Sequence, residues 1–310
     1  MILTVTPNPA IDVTVTVTGL ELGHSHRVGP ARRRAGGKGV NVARVLHREG
    51  IPTAVIAPVG GDSGTEFTRD LALASIPAEL IAGDTDTRLS TTVYESDTGR
   101  ATLFNEHGAP LSPSTRLALA AAVGDRPAGC VVVAGSLPPG TPPALVGEII
   151  AAARRRHVPT VVDMSGASLL AAATAGVTVL KANLAEISAA TGIAEPVAAA
   201  RRLLREGAGW VVITSGSDGL LATDGDLLHR AVPPLLTGNP TGAGDAATAA
   251  IAASILEAGA GALTDRATIA RAAAWSASAV LTPIAGELSP RWRELLDEIQ
   301  VTTEQAGARS

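Results

Sequence analysis

The chain has 310 residues, of which 46% are hydrophobic and 17% charged, and its formal net charge is −4 at pH 7. This composition supplies a sizeable buried core and excludes a largely disordered chain. The mild negative charge argues against nucleic acid or an anionic membrane as the main partner. The first residues contain no targeting segment, and the longest weakly apolar stretch, 246–256, is too short to span a bilayer. We therefore expect a cytoplasmic protein.

Short apolar runs predict buried strands, and segments with helical periodicity follow most of them. The predicted strands are Ile2–Thr6, Ala54–Val59, Val131–Ala134, Thr160–Asp163, Val177–Leu180 and Val211–Thr214. The predicted helices are Val40–Arg48, Glu66–Ala74, Ala144–Arg156, Leu184–Thr191, Val197–Arg205 and Ala243–Glu257. Alternating strands and helices indicate parallel βαβ units, so we predict an α/β fold with a doubly wound, mostly parallel sheet.

Two regions interrupt this alternation and predict a small β-sheet lid. Asp12–Thr18 alternates strictly between apolar and polar residues, as in a strand with one covered face. Ser90–Tyr94 and Arg100–Asn105 flank a glycine-containing turn and predict a hairpin. Such a lid would cover the carboxyl ends of the parallel strands, where open α/β sheets bind ligands. The predicted organisation is a single domain over 1–300, lid segments at about 10–35 and 86–108, and a flexible tail at 301–310.

The strongest local motif is Asn239–Asp245, whose last residues begin a predicted alanine-rich helix. Small residues at a helix N-terminus allow backbone N–H groups to approach an anion, and the helix dipole adds positive charge. Such a turn suits the charge that develops on a transferring phosphoryl group. A carboxylate at Asp245 would repel nucleotide phosphates, so its presence favours another role, acceptance of the proton of an attacking hydroxyl.

Three other interpretations of this motif and its surroundings stay open. Gly242–Ala247 also matches a GxGxxA fingerprint, which would indicate an NAD(P)-dependent oxidoreductase. That interpretation lacks the required strand, because prolines and glycines precede the motif. A non-catalytic sugar-phosphate sensor would use Asp12 and Lys38 and have no use for Asp245. The motif is also compatible with a plain glycine turn.

A second glycine cluster precedes the first long helix and includes Gly36, Gly37, Lys38 and Asn41. The glycines allow backbone contact with sugar hydroxyls, Lys38 supplies charge, and Asn41 can pair with a hydroxyl. Of 25 basic residues only two are lysines, Lys38 and Lys181, and both lie in candidate motifs, which favours contacts with phosphate. Asp12 can hold sugar hydroxyls and Arg88 can clamp a phosphate, although a turn carboxylate and a solvated arginine are ordinary alternatives.

Three polar loops follow predicted parallel strands, at the sheet edge where ligands bind. Ser136 lies in the first loop and is a candidate for substrate binding. In the second, Asn183 and Glu186 stand three residues apart on one helical face and can orient the waters of Mg²⁺. The third, Thr214–Gly219, is a polar glycine-bearing loop that suits nucleotide phosphate or ribose.

Taken together, these segments resemble the ribokinase-like PfkB carbohydrate kinases over about residues 1–290. The segments that carry the resemblance read NPAID, GGKGVN, GSLPPG, DMSG, KANLAE, TSGSDG and NPTGAGD. They are most similar to the hexose-phosphate branch, which holds 1-phosphofructokinase, tagatose-6-phosphate kinase and the minor 6-phosphofructokinase. The resemblance implies a ribokinase-like sheet with a β lid. It also implies transfer of the γ-phosphoryl group of ATP to a hydroxyl of fructose 1-phosphate, tagatose 6-phosphate or fructose 6-phosphate.

The resemblance also implies a role for each candidate residue. Asp245 would be the base, and the anion hole would be formed by Gly242, Ala243 and Gly244. The sugar would be held by Asp12, Gly36, Gly37 and Asn41, and its phosphate by Lys38, Arg88 and Arg27. ATP and its Mg²⁺ would be contacted by Lys181, Asn183, Glu186, Ser215, Gly216 and Gly219. Adenine would rest on aliphatic walls near Ala277, and Asn105–Gly108 would discriminate between sugars. The family often packs lid to lid, which implies a homodimer, and the resemblance allows for a monovalent cation such as K⁺.

Overall fold

A computed structural model describes residues 1–305. The strands are β1 (Ile2–Val5), β2 (Ala10–Val17), β3 (Arg32–Gly36), β4 (Thr53–Val59), β5 (Ala78–Ala82), β6 (Arg88–Glu95), β7 (Ala101–Asn105), β8 (Cys130–Ala134), β9 (Thr160–Asp163), β10 (Val179–Asn183), β11 (Trp210–Thr214), β12 (Leu220–Thr223), β13 (Leu227–Val232) and β14 (Gln300–Gln305). The helices are α1 (Lys38–Arg48), α2 (Gly61–Leu73), α3 (Pro113–Asp125), α4 (Ala144–Arg154), α5 (Gly166–Thr174), α6 (Leu184–Thr191), α7 (Pro196–Glu206), α8 (Ala243–Ala258), α9 (Arg266–Val280) and α10 (Trp292–Glu298).

Ten strands form one large sheet in the order β14-β13-β12-β11-β10-β9-β8-β1-β4-β5. Neighbouring strands pair in parallel across the sheet from β5 through β4, β1, β8, β9 and β10 to β11. The three remaining pairs, β11 with β12, β12 with β13 and β13 with β14, are antiparallel. Helices α1, α8, α9 and α10 pack on one face of this sheet. Helices α3 to α7 pack on the other. The predicted doubly wound, mostly parallel α/β fold is therefore confirmed.

Four further strands form a separate sheet in the order β3-β2-β6-β7, which is the predicted lid. Strands β2 and β6 pair in parallel, while the outer two joints are antiparallel. The register aligns Asp12 with Arg34 on one side and with Ser90 on the other. Because directly paired residues point to the same face of a sheet, these side chains form one row across the lid.

The chain end differs from the prediction of a flexible tail at 301–310. Residues Gln300–Gln305 form the edge strand β14, which pairs with β13 along its whole length, and Val301 is buried. Backbone pairing and one buried apolar side chain order this segment, although its sequence is polar. Residues 306–310 of the predicted tail lie outside the described residues. Within 1–305, no helix has the length and apolarity needed to cross a membrane.

Candidate active site

A cleft of about 1530 Å³ lies between the inner face of the lid and the carboxyl ends of the parallel strands. Most of the predicted site residues line it, although they come from widely separated parts of the sequence. These residues are Asp12, Gly37, Lys38, Asn41, Arg88, Ser136, Lys181, Asn183, Glu186, Gly216, Gly219, Gly242, Ala243, Gly244 and Asp245. The cleft is large enough for two small ligands side by side, since single-ligand pockets measure roughly 300–1,000 Å³.

Three predicted residues do not line the cleft. Arg27 is exposed in the connection between β2 and β3. Gly36 lies directly behind Asp12, and a Cβ atom at this position would collide with the Asp12 carboxylate. Ser215 closes a tight turn after β11, where its N–H donates to the carbonyl of Gly219 at 2.9 Å. Gly36 therefore leaves room for the Asp12 carboxylate, and Ser215 holds the turn that carries Gly216 and Gly219.

The N-terminus of α8 opens into the cleft at the predicted glycine motif. Gly242 has φ 88°, a left-handed conformation that favours glycine, and precedes the first helical residue. Ala246 N–H donates to the Gly242 carbonyl at 2.9 Å. The N–H groups of Gly244 and Asp245 precede this first intrahelical bond, so they are not needed by the helix. The helix mouth therefore offers backbone donors and dipole charge to an anion.

Asp245 lies in the first turn of α8 and is only 6% exposed. Asn41 Nδ2 donates to Asp245 Oδ2 at 2.9 Å and fixes the orientation of the carboxyl group. Burial and the negative charge of Asp163 raise the pKa of Asp245 to about 7, although Lys38, the Asn41 bond and Lys181 act in the opposite direction. A carboxyl group with this pKa is suited to exchange a proton near neutral pH.

Sequence reasoning missed Asp163, which lies at the end of β9 and is fully buried. Lys38 Nζ lies 3.0 Å from Asp163 Oδ1, and Lys181 Nζ lies 2.8 Å from Asp163 Oδ2. Burial opposes ionisation of Asp163, but the two lysines together hold its pKa well below the ordinary value. The same contact raises the pKa of Lys38. The available signal was the DMSG segment at a predicted strand end.

Asn183 and Glu186 form a capping box at the start of α6. Asn183 Oδ1 accepts from Glu186 N–H at 2.8 Å, and Glu186 Oε2 accepts from Asn183 N–H at 3.0 Å. The second carboxylate oxygen of Glu186 lies 3.4 Å from Lys38 Nζ, in the cleft. This oxygen faces the cleft and fits a Mg²⁺ ion held through water, because the ion keeps several of its waters in proteins.

Asp12 and Arg88 lie at the lid end of the cleft. Burial raises the pKa of Asp12 to about 6, against the opposing charges of Arg34, Arg88 and Arg44. Arg88 Nη1 donates to the carbonyl of Glu106 at 3.0 Å, so backbone contacts fix the guanidinium. No sequence pattern indicated Arg34, since only the pairing of β2 with β3 places it beside Asp12.

Ser136 and Asn8 form a polar contact under the lid. Asn8 Nδ2 donates both to Ser136 Oγ and to the carbonyl of His107, at 3.0 Å in each case. Asn8 was not predicted as a site residue, although it belongs to the NPAID segment. The contact joins the loop after β8 to 105–108, the segment expected to discriminate between sugars.

The opposite end of the cleft has apolar walls. They are formed by side chains of α9 and of the strands and loops around β12, namely Ala273, Ala277, Val280, Leu220, Leu235 and Leu236. This is the aliphatic environment expected for adenine. The dinucleotide interpretation of the glycine motif lacks structural support, because β13 ends at Val232 and residues 233–242 form no strand that leads into α8.

Comparisons with known proteins agree with this geometry. Residues 6–290 match the family described as pfkB family carbohydrate kinase. The chain is 35% identical over 263 residues to ATP-dependent 6-phosphofructokinase isozyme 2 of Mycobacterium tuberculosis, covering 81% of this chain and 76% of the relative. It is 34% identical over 270 residues to 1-phosphofructokinase of Xanthomonas campestris, covering 82% and 84% respectively.

Among solved structures, phosphofructokinase-2 from Escherichia coli in complex with potassium superposes with a TM-score of 0.88 at 26% identity. The superposition covers 96% of this chain and 98% of that one. The same enzyme has also been solved in complex with fructose-6-phosphate, with a TM-score of 0.86. The family match spans most of the chain, and both sequence relatives exceed 30% identity. The chain therefore belongs to the pfkB family of carbohydrate kinases.

Proposed function

We propose that this ATP-dependent sugar kinase phosphorylates a hydroxyl of a ketohexose phosphate, with Asp245 as the general base. The candidate substrates are fructose 1-phosphate, fructose 6-phosphate and tagatose 6-phosphate. The observation that carries the proposal is the buried Asp245 carboxyl group at the open mouth of α8, with a pKa near 7. The names of the relatives support phosphofructokinase chemistry and do not separate the two fructose phosphates.

In the proposed reaction, the sugar hydroxyl donates its proton to Asp245 while its oxygen forms a bond to the γ-phosphorus of ATP. The bond from this phosphorus to the bridging oxygen breaks, and ADP leaves with the electron pair. Backbone N–H groups of Gly244 and Asp245 stabilise the charge on the transferred phosphoryl group. Asp12 accepts hydrogen bonds from sugar hydroxyls, and Arg88 binds the existing phosphate. Asn41 keeps the base in position through its 2.9 Å bond.

Asn183 and Glu186 are the proposed contacts for Mg²⁺, through water. When bound, this ion neutralises charge on the ATP phosphates. Dependence on a monovalent cation such as K⁺ stays a prediction, which the Escherichia coli relative solved with potassium supports. Comparing turnover in potassium and sodium chloride at equal ionic strength tests it.

We further propose a homodimer formed through the lid. Phe104 of β7 is 59% exposed on the face of the lid opposite to the cleft-lining Leu103, and Leu22 in the loop after β2 is 89% exposed. Large exposed apolar side chains on and beside a small sheet are typical of a protein interface. A solved form of the Escherichia coli relative is tetrameric, which supports self-association.

An ADP-release assay over the three sugar phosphates tests the function. We expect saturable, ATP-dependent turnover with at least one of them. Sugar phosphate binding without ADP release would instead indicate the sensor. Tight binding of a nicotinamide cofactor in a fluorescence titration, without ADP release, would favour the oxidoreductase.

A further inference from the structure

One buried carboxylate contacts both lysines of the chain. We propose that Asp163 is a positioning residue for phosphoryl transfer, which holds the ammonium groups of Lys38 and Lys181 beside the mouth of α8. The inference rests on the proposed kinase function. It gives a role to a residue that lies outside the proposed contacts to sugar, nucleotide and Mg²⁺.

The two oxygens of the Asp163 carboxylate contact different lysines. Lys38 Nζ lies 3.0 Å from Oδ1, while Lys181 Nζ lies 2.8 Å from Oδ2. Thr248 Oγ1 also donates to Oδ2, at 2.9 Å. Asp163 is fully buried and Lys181 is 3% exposed, so water does not screen this pair as it screens a surface ion pair. Each lysine therefore has its own oxygen and a fixed direction.

The fold brings these groups together from four elements. Asp163 and Lys181 are register partners at the carboxyl ends of the parallel strands β9 and β10. Lys38 is the first residue of α1, and Thr248 lies in α8. Thr248 Oγ1 also lies 3.0 Å from the carbonyl of Gly244, one turn earlier in the helix. The Asp163 carboxylate therefore links both lysines to α8, the helix whose N-terminus forms the proposed anion site.

The position of Lys181 relates the Asp163 contacts to the proposed phosphoryl transfer. A Cβ atom built on Gly244 would lie 2.6 Å from Lys181 Nζ, so the ammonium group sits against the anion-binding turn. Lys38, which is 35% exposed, extends from the same carboxylate into the cleft. Lysine side chains are flexible, and two like charges repel each other. A carboxylate between them offsets this repulsion and fixes both ammonium groups in position beside the phosphoryl oxygens.

These contacts also bear on Lys38, for which the family resemblance implies contact with the existing phosphate of the sugar. Its partners are Asp163 and Glu186, and Glu186 belongs to the proposed nucleotide side. The geometry favours contact between Lys38 and the transferred phosphoryl group. Both lysines then act on the reacting phosphate, and Arg88 is the cleft-lining residue that keeps its assignment to the sugar phosphate.

The test is a double-mutant cycle on the full chain, after wild-type turnover has been established. Asp163→Asn and Lys38→Met are each expected to lower kcat about 100-fold, as removal of one charge-stabilising donor does. The kcat of the double variant should lie within about 3-fold of the kcat of the slower single variant, because both changes remove the same arrangement. ADP affinity by calorimetry should change less than about 5-fold. Multiplicative losses, or unchanged kcat in Asp163→Asn, would overturn the proposal.

Asp163→Glu covers the case in which Asp163→Asn fails to fold. It keeps the charge and moves the carboxylate by one methylene group, so the kcat loss should persist in a folded protein. Wild-type kcat in this variant, or a loss of ADP affinity as large as the loss of kcat, would contradict a positioning role. A wild-type chain without kinase activity would instead reject the proposed function.

Discussion

Replacing Asp245 with Asn removes the charge of the proposed base and preserves its shape, including an oxygen that can accept the bond from Asn41. Loss of a general base typically lowers turnover about 10²- to 10⁴-fold. The same change should stabilise the fold at neutral pH. Raising the pKa from 3.8 to about 7 corresponds to a cost of about 4 kcal/mol for ionising Asp245 in the folded chain.

Proton binding sets the sign of the pH effect. Between about pH 4 and pH 7 the folded chain keeps a proton that the unfolded chain has lost, so wild-type stability falls as pH rises through this window. The Asp245→Asn variant carries no such cost. The free energy of unfolding of the variant, relative to wild type, should therefore increase by about 2–4 kcal/mol between pH 4 and pH 8.

Urea unfolding at several pH values and an ADP-release assay measure the two effects on the same preparations. In wild type, kcat/KM should fall below about pH 7, because the base must be ionised. A stability difference that does not change with pH would refute the assignment of the raised pKa. A variant that retains more than about a tenth of wild-type kcat would refute the role of Asp245 as base.

Three further changes test other parts of the site. Asp12→Asn should raise the KM for the sugar phosphate about 10- to 100-fold in steady-state kinetics and leave the KM for ATP nearly unchanged, because a charged hydrogen-bond acceptor is lost. Gly244→Ala places a Cβ atom 2.6 Å from Lys181 Nζ and should lower kcat about 100-fold, with a circular dichroism spectrum like that of wild type. Phe104→Ser should shift the chain from dimer to monomer in light scattering, whereas Leu73→Ser, an exposed apolar change on α2, should not.

The regular part of the fold was predictable because buried parallel strands are short apolar runs. The predicted strand Thr160–Asp163 and the predicted helix Leu184–Thr191 have the bounds observed for β9 and α6. Three strands at the antiparallel edge, β12 to β14, were missed. The last of them is polar and gains its order from pairing with β13, which local sequence does not reveal.

The candidate site was predictable where several of its residues lie in one continuous sequence motif. Gly242–Asp245 and the Lys38–Asn41 segment could be recognised from spacing, and the structure brings them together through the Asn41 contact to Asp245. Asp163 and Arg34 were missed because their roles depend on partners far away in sequence. A carboxylate that contacts two lysines is defined only after β9, β10 and α1 have been assembled.

We propose that sugar discrimination also depends on partners that are distant in sequence. Register places Arg34, Asp12, Ser90 and Asn105 in one row across the lid, although they come from four strands. Ser90 Oγ donates to Asn105 Oδ1 at 2.7 Å, and Asn105 lines the cleft, so its amide N–H groups remain available as donors to a ligand. A row of this kind would contact several hydroxyls of a bound sugar at once, because strand pairing holds its members at fixed spacings. We therefore propose that selectivity among ketohexose phosphates depends on strand pairing as much as on the identity of any single residue.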